Sequence, residues 1–305
     1  MAFHAQAKAT AKTGEWTAIV LAGERPAGDP LATELGVRAK ALIEINGKTM
    51  LSRVVHALLI SAKIKRVLVL AQQIELIAES EPSDVLRDPR VELAKSGNGI
   101  ATSIEAVIGT SQAPWPILVT TADNALLTAE RVDAFLSEAR KCDVTVGLGE
   151  RSIVEQEFPE TRRTWLKFSD GHFSGANLFA LRNNRCLPAV KHWQAVEQDR
   201  KKGLKLIASF GPGLLVRALT RTIGLKDGLA RAGRKMGLTA KAVILDAEAP
   251  IDVDKKEDVE LVGRILSDRP ARLAVPVAAT RKDQAPVSDA WPEKLAQPAR
   301  TARHN

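Results

Sequence analysis

No stretch of this 305-residue sequence approaches the roughly 18 consecutive apolar residues of a spanning helix, so no transmembrane segment is expected. The opening residues, Met1 to Trp16, hold alanine and lysine but lack the apolar centre of a secretory signal. Cysteine is nearly absent: Cys142 and Cys186 stand alone, make no zinc pattern, and suit a reducing cytoplasm rather than a disulfide. The five histidines show no metal-ligand spacing. No G-x-x-x-x-G-K-[ST] or G-x-G-x-x-G loop is present, and neither is a Ser-x-x-Lys or G-x-S-x-G nucleophile. P-loop, dinucleotide and serine-acylation chemistry therefore lack their signatures, and no internal repeat suggests a solenoid.

What is present is an ordinary globular composition, 45% hydrophobic and 26% charged, able to bury a core. The net charge of +8 is uneven. Segment 197–241 has eleven basic and three acidic residues, whereas a nucleic-acid binder would spread a basic stripe over its main fold. No nucleic-acid partner is expected. The segment reads either as a solvated helical face or as a surface for an anion, a phosphorylated substrate or a membrane.

Four compact aliphatic runs, at 17–21, 66–70, 116–120 and 143–147, read as buried strands. Between the first two, Leu51, Val54, Val55, Leu58 and Leu59 follow the i, i+3, i+4, i+7, i+8 stripe of an amphipathic helix. Further helices fit 100–109, 128–140, 188–201, 213–236 (broken at Gly224) and 255–267. Such alternation predicts an α/β fold, a three-layer sandwich with a mainly parallel sheet, over residues 16–267. Residues 1–15 read as a flexible N-terminus. The Pro/Ala/Arg-rich tail 268–305 offers no apolar face and reads as disordered.

In such folds ligands sit beyond the carboxyl ends of the strands. After the first strand, Leu21, Ala22 and Gly23 lead into a loop of small residues whose N–H groups suit phosphate oxygens, with Arg25 and Lys40 as cations; composition alone is equally that of a plain loop. Asp123 ends the third strand, as an Asx cap or a cation ligand. Asp252 and Asp254 share one face of an extended segment around Val253, and Asp254 with Glu257 also fits a capping box. Gly97, Asn98 and Gly99 precede a helix carrying Ser103, as an anion or base site or as a glycine turn closed by hydroxyls. Arg162, Arg163 and Trp165, then Gly175, Ala176 and Asn177, form a further polar cluster in which Trp165 reads as packed core.

The segments "LAGERPAGDP…AKALIEINGKTMLSRVV", "SGNGIATSI" (96–104), "VTTADNALL" (119–127), "SGANLFAL" (174–181) and "IDVDKKEDVELV" (251–262), in that order, resemble the MobA-like nucleotidyltransferases. Ala39 stands where that family commonly has proline before the lysine. The resemblance implies a GT-A-like fold and transfer of a nucleoside monophosphate from an NTP, CTP or GTP, to a phosphorylated small-molecule or lipid-precursor acceptor, with Mg²⁺. It makes Lys40 and Arg25 the catalytic cations and Leu21, Ala22, Gly23, Asn98 and Ser103 further nucleotide contacts. Arg162, Arg163 and Asn177 would meet the acceptor, and Asp123, Asp254 and, less directly, Asp252 would bind the metal. Two other readings stay open: a glycosyltransferase with a nucleotide-sugar donor, and a nucleotide-binding protein without turnover. Only the first reading releases pyrophosphate.

Overall fold

The computed structural model describes residues 15–23, 28–81, 84–97, 99–197, 220 and 222–274, the last stretch and 194–197 partly by backbone alone. Its frame is an eight-stranded sheet of β1 (Trp16–Leu21), β4 (Ile64–Ala71), β5 (Val91–Lys95), β6 (Ile117–Thr121), β7 (Val144–Glu150), β8 (Leu166–Phe168), β9 (Gly171–Leu181) and β10 (Ala240–Leu245). The spatial order is β10-β7-β9-β6-β1-β4-β5, with β8 paired to β9. Strand β1 lies parallel to both β4 and β6, β4 to β5, and β7 to β10. Strand β9 runs antiparallel between β6 and β7, so the sheet is mainly parallel, as expected.

Alternation along β1 shows how the layers form. Ala18 and Val20 face one core with Leu51, Val54 and Leu58 of α2 (Met50–Ile60) and Phe135 of α5 (Ala129–Ala139). Ile19 points the other way, to Ile104 of α4 (Ile100–Val107) and Val190 of α7 (Leu187–Glu197). A strand covered on both faces has no polar side to show, which is why its sequence is a continuous apolar run.

A third apolar cluster lies under the carboxyl edge of the sheet. It joins Leu31 of α1 (Pro30–Glu34), Ile43, Ile45 of β2 (Glu44–Ile45), Ala125 and Leu126, and Ile251 and Val253. Leu261, Val262 and Ile265 of the last helix complete it. Asn46 and Gly47, with φ of 48° and 70°, form the two-residue turn from β2 to β3 (Lys48–Thr49), the conformation that Asn-Gly hairpin turns favour. Within the loop after β1, Asp29 caps α1 by accepting from the N–H groups of Leu31 and Ala32, and Pro30 opens the helix.

Several elements depart from the sequence pattern. Helices α1, α3 (Ile74–Ser80) and α6 (Arg151–Glu157) and strands β5, β8, β9 and β10 were not signalled by it. Most of the basic segment, 198–219 and 221, lies outside the described residues; α8 (Leu225–Lys235) covers part of the remainder. The last helix, α9 (Lys256–Ala274), continues past Ser267, where its end was expected. Residues 1–14 and 275–305 lie outside the described residues. Trp165 is only half-buried, whereas Trp16 and Phe135 are among the largest wholly buried side chains. No helix among the described residues is long and apolar enough to cross a membrane.

Candidate active site

Three residues far apart in sequence meet at the carboxyl edge of the sheet. Lys40 opens a short 3₁₀ turn, Lys40–Leu42, anchored by buried Ala39, Ala41 and Leu42. Its Nζ donates to Asp123 Oδ2 and to Asp254 Oδ1, at 2.8 Å each. The two carboxylate oxygens are thus separated by no more than twice that distance. Asp123 sits in the turn after β6, where Thr121 Oγ1 donates to its Oδ1 at 2.5 Å. Asn124, fully buried, ties that turn to β9 by donating to the Ala176 carbonyl at 3.2 Å.

Burial works against the Lys40 ammonium, but Asp123 and then Asp254 outweigh it and hold its pKa above the ordinary lysine value. The sign follows: stability from this charge is full below the ordinary value and is lost only as pH rises through the higher folded one. Lys40 stays cationic throughout the neutral range.

Asp254 reaches this position because its backbone is held on both sides. The Val253 N–H donates to the Asp123 carbonyl at 3.2 Å, while Ile251 and Val253 are buried in the third cluster. The Asp254 and Lys255 N–H groups both donate to Asp258 Oδ2 at 3.0 Å. The return half of the expected capping box is therefore made by Asp258, one residue after Glu257, because α9 starts at Lys256.

Asp252, also expected as a metal ligand, lies outside this group in the structure. Its Oδ1 pairs with Arg163 Nη1, and its Oδ2 accepts from Asn177 Nδ2 at 2.8 Å. Arg163 Nη2 also reaches the Asp252 carbonyl at 2.7 Å and Asp258 Oδ1 at 3.1 Å. The two aspartates do share a face away from buried Val253, but side alternation says nothing about partners.

Arg163 and Asn177, expected as acceptor contacts, are placed by the structure in this Asp252 cluster. The Arg163 side chain is only 8% exposed, with its guanidinium committed to Asp252 and Asp258. Asn177 has φ 49° at a bulge where β9 and β7 lose register between Val146 and Leu148. Bulges re-aim side chains, and asparagine tolerates the left-handed region, so its amide turns toward Asp252. Arg162 remains exposed. It lines a cleft of about 400 Å³ in which Arg162, Lys255 and Arg264 face the carboxylates of Glu160, Glu257, Asp258 and Glu260.

The nucleotide side is partly outside the described residues: Arg25 and Asn98 both fall there. Ala22 gives its N–H to the Leu70 carbonyl at 2.9 Å, so that group continues the sheet ladder. Leu21 ends β1, and Gly23 is exposed beyond it. Ser103 is buried; it donates to the Gly99 carbonyl at 2.6 Å and accepts from the Gly97 N–H at 2.9 Å. Its hydroxyl closes the glycine turn, the second of the two roles open to it in the sequence. Gln72, just after β4, was not singled out by sequence. A Cβ on Gly23 would lie 2.9 Å from Gln72 Nε2, and that amide nitrogen lies 3.5 Å from the Gly97 carbonyl. Its place at a strand's carboxyl end was the available signal.

Among the described residues no three His, Cys, Asp or Glu side chains converge as a metal cluster. Magnesium does not need one, since one or two carboxylates plus substrate phosphates usually hold it. Asp123 and Asp254 fit that pattern: two hard oxygen donors already disposed around a cation, the Lys40 ammonium.

The model of the MobA-like NTP transferase domain matches residues 18–209. No curated protein matches the chain. A protein described as a hypothetical transferase from Thermus thermophilus is 28% identical, with TM-score 0.66, over 80% of this chain and 98% of its own. A CMP:2-keto-3-deoxy-manno-octonic acid synthetase, solved with CTP, is 11% identical with TM-score 0.53, over 84% of this chain and 100% of its own. The 4-diphosphocytidyl-2C-methyl-D-erythritol synthase of Anaerococcus prevotii is 12% identical with TM-score 0.50, over 84% and 99%. These last two show the fold alone, a mainly parallel sheet flanked by helices.

Proposed function

The chain belongs to the MobA-like NTP transferase family, and from that premise we propose that it is a magnesium-dependent nucleotidyltransferase acting on CTP or GTP and a phosphorylated acceptor. The observation that carries the reading is the meeting of Lys40, Asp123 and Asp254 at the carboxyl edge of the sheet. An acceptor phosphate oxygen attacks the α-phosphorus in line, the bond from that phosphorus to the oxygen bridging to the β-phosphate breaks, and pyrophosphate leaves. Such chemistry depends on positioning and charge neutralisation and needs no protein nucleophile.

Asp123 and Asp254 would hold the magnesium ion, which when bound neutralises phosphate oxygens. Lys40, cationic at neutral pH, neutralises the oxygens of the departing pyrophosphate. Arg25 adds a second cation from the loop after β1, with Gly23 allowing close backbone approach. Asn98, which lies outside the described residues, is the proposed nucleoside contact. Arg162, exposed on the wall of the cleft of mixed charge, is the proposed contact to the acceptor.

The test is a pyrophosphate-release screen of the four NTPs against phosphorylated acceptors with Mg²⁺. Acceptor-dependent release with one NTP is expected. Tight NTP binding with no release across the panel would make the protein a nucleotide-binding module. Nucleoside diphosphate released from a nucleotide-sugar would make it a glycosyltransferase.

A further inference from the structure

The cluster around Asp252 lies next to the candidate metal carboxylates yet points none of its charges into the site. We propose that Arg163 is a positioning residue: through Asp252 and Asp258 it fixes the backbone that presents Asp254 to Asp123. The proposal rests on the functional reading above and adds to it the device that sets the geometry of the metal carboxylates.

The argument is one of connectivity. The guanidinium holds the Asp252 side chain and, at 2.7 Å, the Asp252 carbonyl, two residues before Asp254. It also holds Asp258 Oδ1 at 3.1 Å, and the other oxygen of that carboxylate accepts the Asp254 and Lys255 N–H groups. One planar cation therefore grips the segment before Asp254 directly and the turn after it through Asp258. A guanidinium can serve several acceptors lying in one plane, which a lysine ammonium cannot do with the same geometry. Asn177 secures the remaining Asp252 oxygen from β9. Asp254 itself is 56% exposed, so its own packing does little to hold it. Its placement is inherited from its neighbours, as metal ligands depend on the groups that orient them.

The experiment titrates Mn²⁺, followed by electron paramagnetic resonance, into protein saturated with α,β-methylene CTP, with α,β-methylene GTP in a parallel series. Binding of each analogue without metal is measured alongside. Arg163→Met is expected to weaken Mn²⁺ binding by about ten- to a hundredfold, the range for losing such an orienting group, while metal-free analogue binding stays within about twofold. Arg163→Lys should recover only part of the loss. Asp252→Asn puts an amide nitrogen against a donor in Arg163 or Asn177, preserves the side-chain shape, and should weaken Mn²⁺ severalfold. That variant decides the question if Arg163→Met does not fold. If wild type holds Mn²⁺ better than Asp254→Ala, but Arg163→Met or Asp252→Asn binds it like wild type, the positioning role is overturned and the functional reading stands. If Asp254→Ala itself binds Mn²⁺ like wild type, both fall.

Discussion

Asp252 and Asp254 stand two residues apart on one extended segment, yet they belong to regions built on opposite logic. Asp252 is 21% exposed and bonded on both carboxylate oxygens, to an arginine almost without solvent contact and to an asparagine on a bulge. Asp254 is 56% exposed and meets Lys40, which it shares with Asp123 from another strand. The first region spends its charges on the protein. The second keeps them at an edge that solvent and substrate can reach, with a flexible side chain as counter-ion. Residue type and neighbourhood in sequence do not separate a structural carboxylate from a candidate ligand; the rigidity of its partner does.

The comparison is sharpest if the two regions fail differently. Lys40→Ala should lower turnover by about ten- to a thousandfold, the order seen on removing one preorganised electrostatic donor from an active site. The fold should survive, since the turn is anchored by Ala39, Ala41 and Leu42 rather than by the ammonium. Steady-state pyrophosphate release and a thermal melt check the two halves, and near wild-type turnover in folded protein removes Lys40 from the mechanism.

On the other side the losses should appear in stability. Asn177→Ala gives up a hydrogen bond to a carboxylate and keeps a Cβ at φ 49°, for about 2 kcal/mol. Asn177→Gly gives up the same bond but suits that backbone, and should cost about 1 kcal/mol less than alanine. Equal denaturant midpoints for the two variants would mean the bulge conformation carries no strain.

The smallest effect is a control outside both regions. Glu138 on α5, between Lys141 and Lys241, has its carboxyl pKa drawn down to about 2, chiefly by its hydrogen bond with Lys141 and next by that with Lys241. Its contribution is present above the ordinary value of 4.5 and fades as pH falls through about 2. Glu138→Gln should flatten that acid limb of the stability curve slightly and leave activity untouched. An unchanged limb would show the pair to be fully screened at the surface.

Much of this was legible in the amino acids. Strands β1, β4 and β6 are compact aliphatic runs because both faces are covered, and the stripe of α2 is a plain helical period. Asp123, at a strand end, carried its own signal, and the family resemblance joined Lys40 and Asp254 to it. Strand β9 was not legible: Gly175 and Asn177 interrupt its alternation, and they read as ligand contacts when they are strand and bulge. The parting of Asp252 from Asp254 was hidden for a different reason. It depends on Arg163, 89 residues from Asp252, arriving from a loop with no periodicity. The Asn46-Gly47 hairpin did have a local signal, in its dipeptide.

Strand β9 has a further consequence, best put mechanically. Taking it out of the strand order leaves two parallel ribbons, β6-β1-β4-β5 and β7-β10, with no ladder between them. It is the seam of the sheet, sewn antiparallel to both sides. Asp123 hangs from one ribbon, Asp254 follows the last strand of the other, and Lys40 is the stitch between them at the open edge. At that same edge the Val253 N–H bond to the Asp123 carbonyl joins the two sides a second time, so the charged stitch is backed by a backbone one.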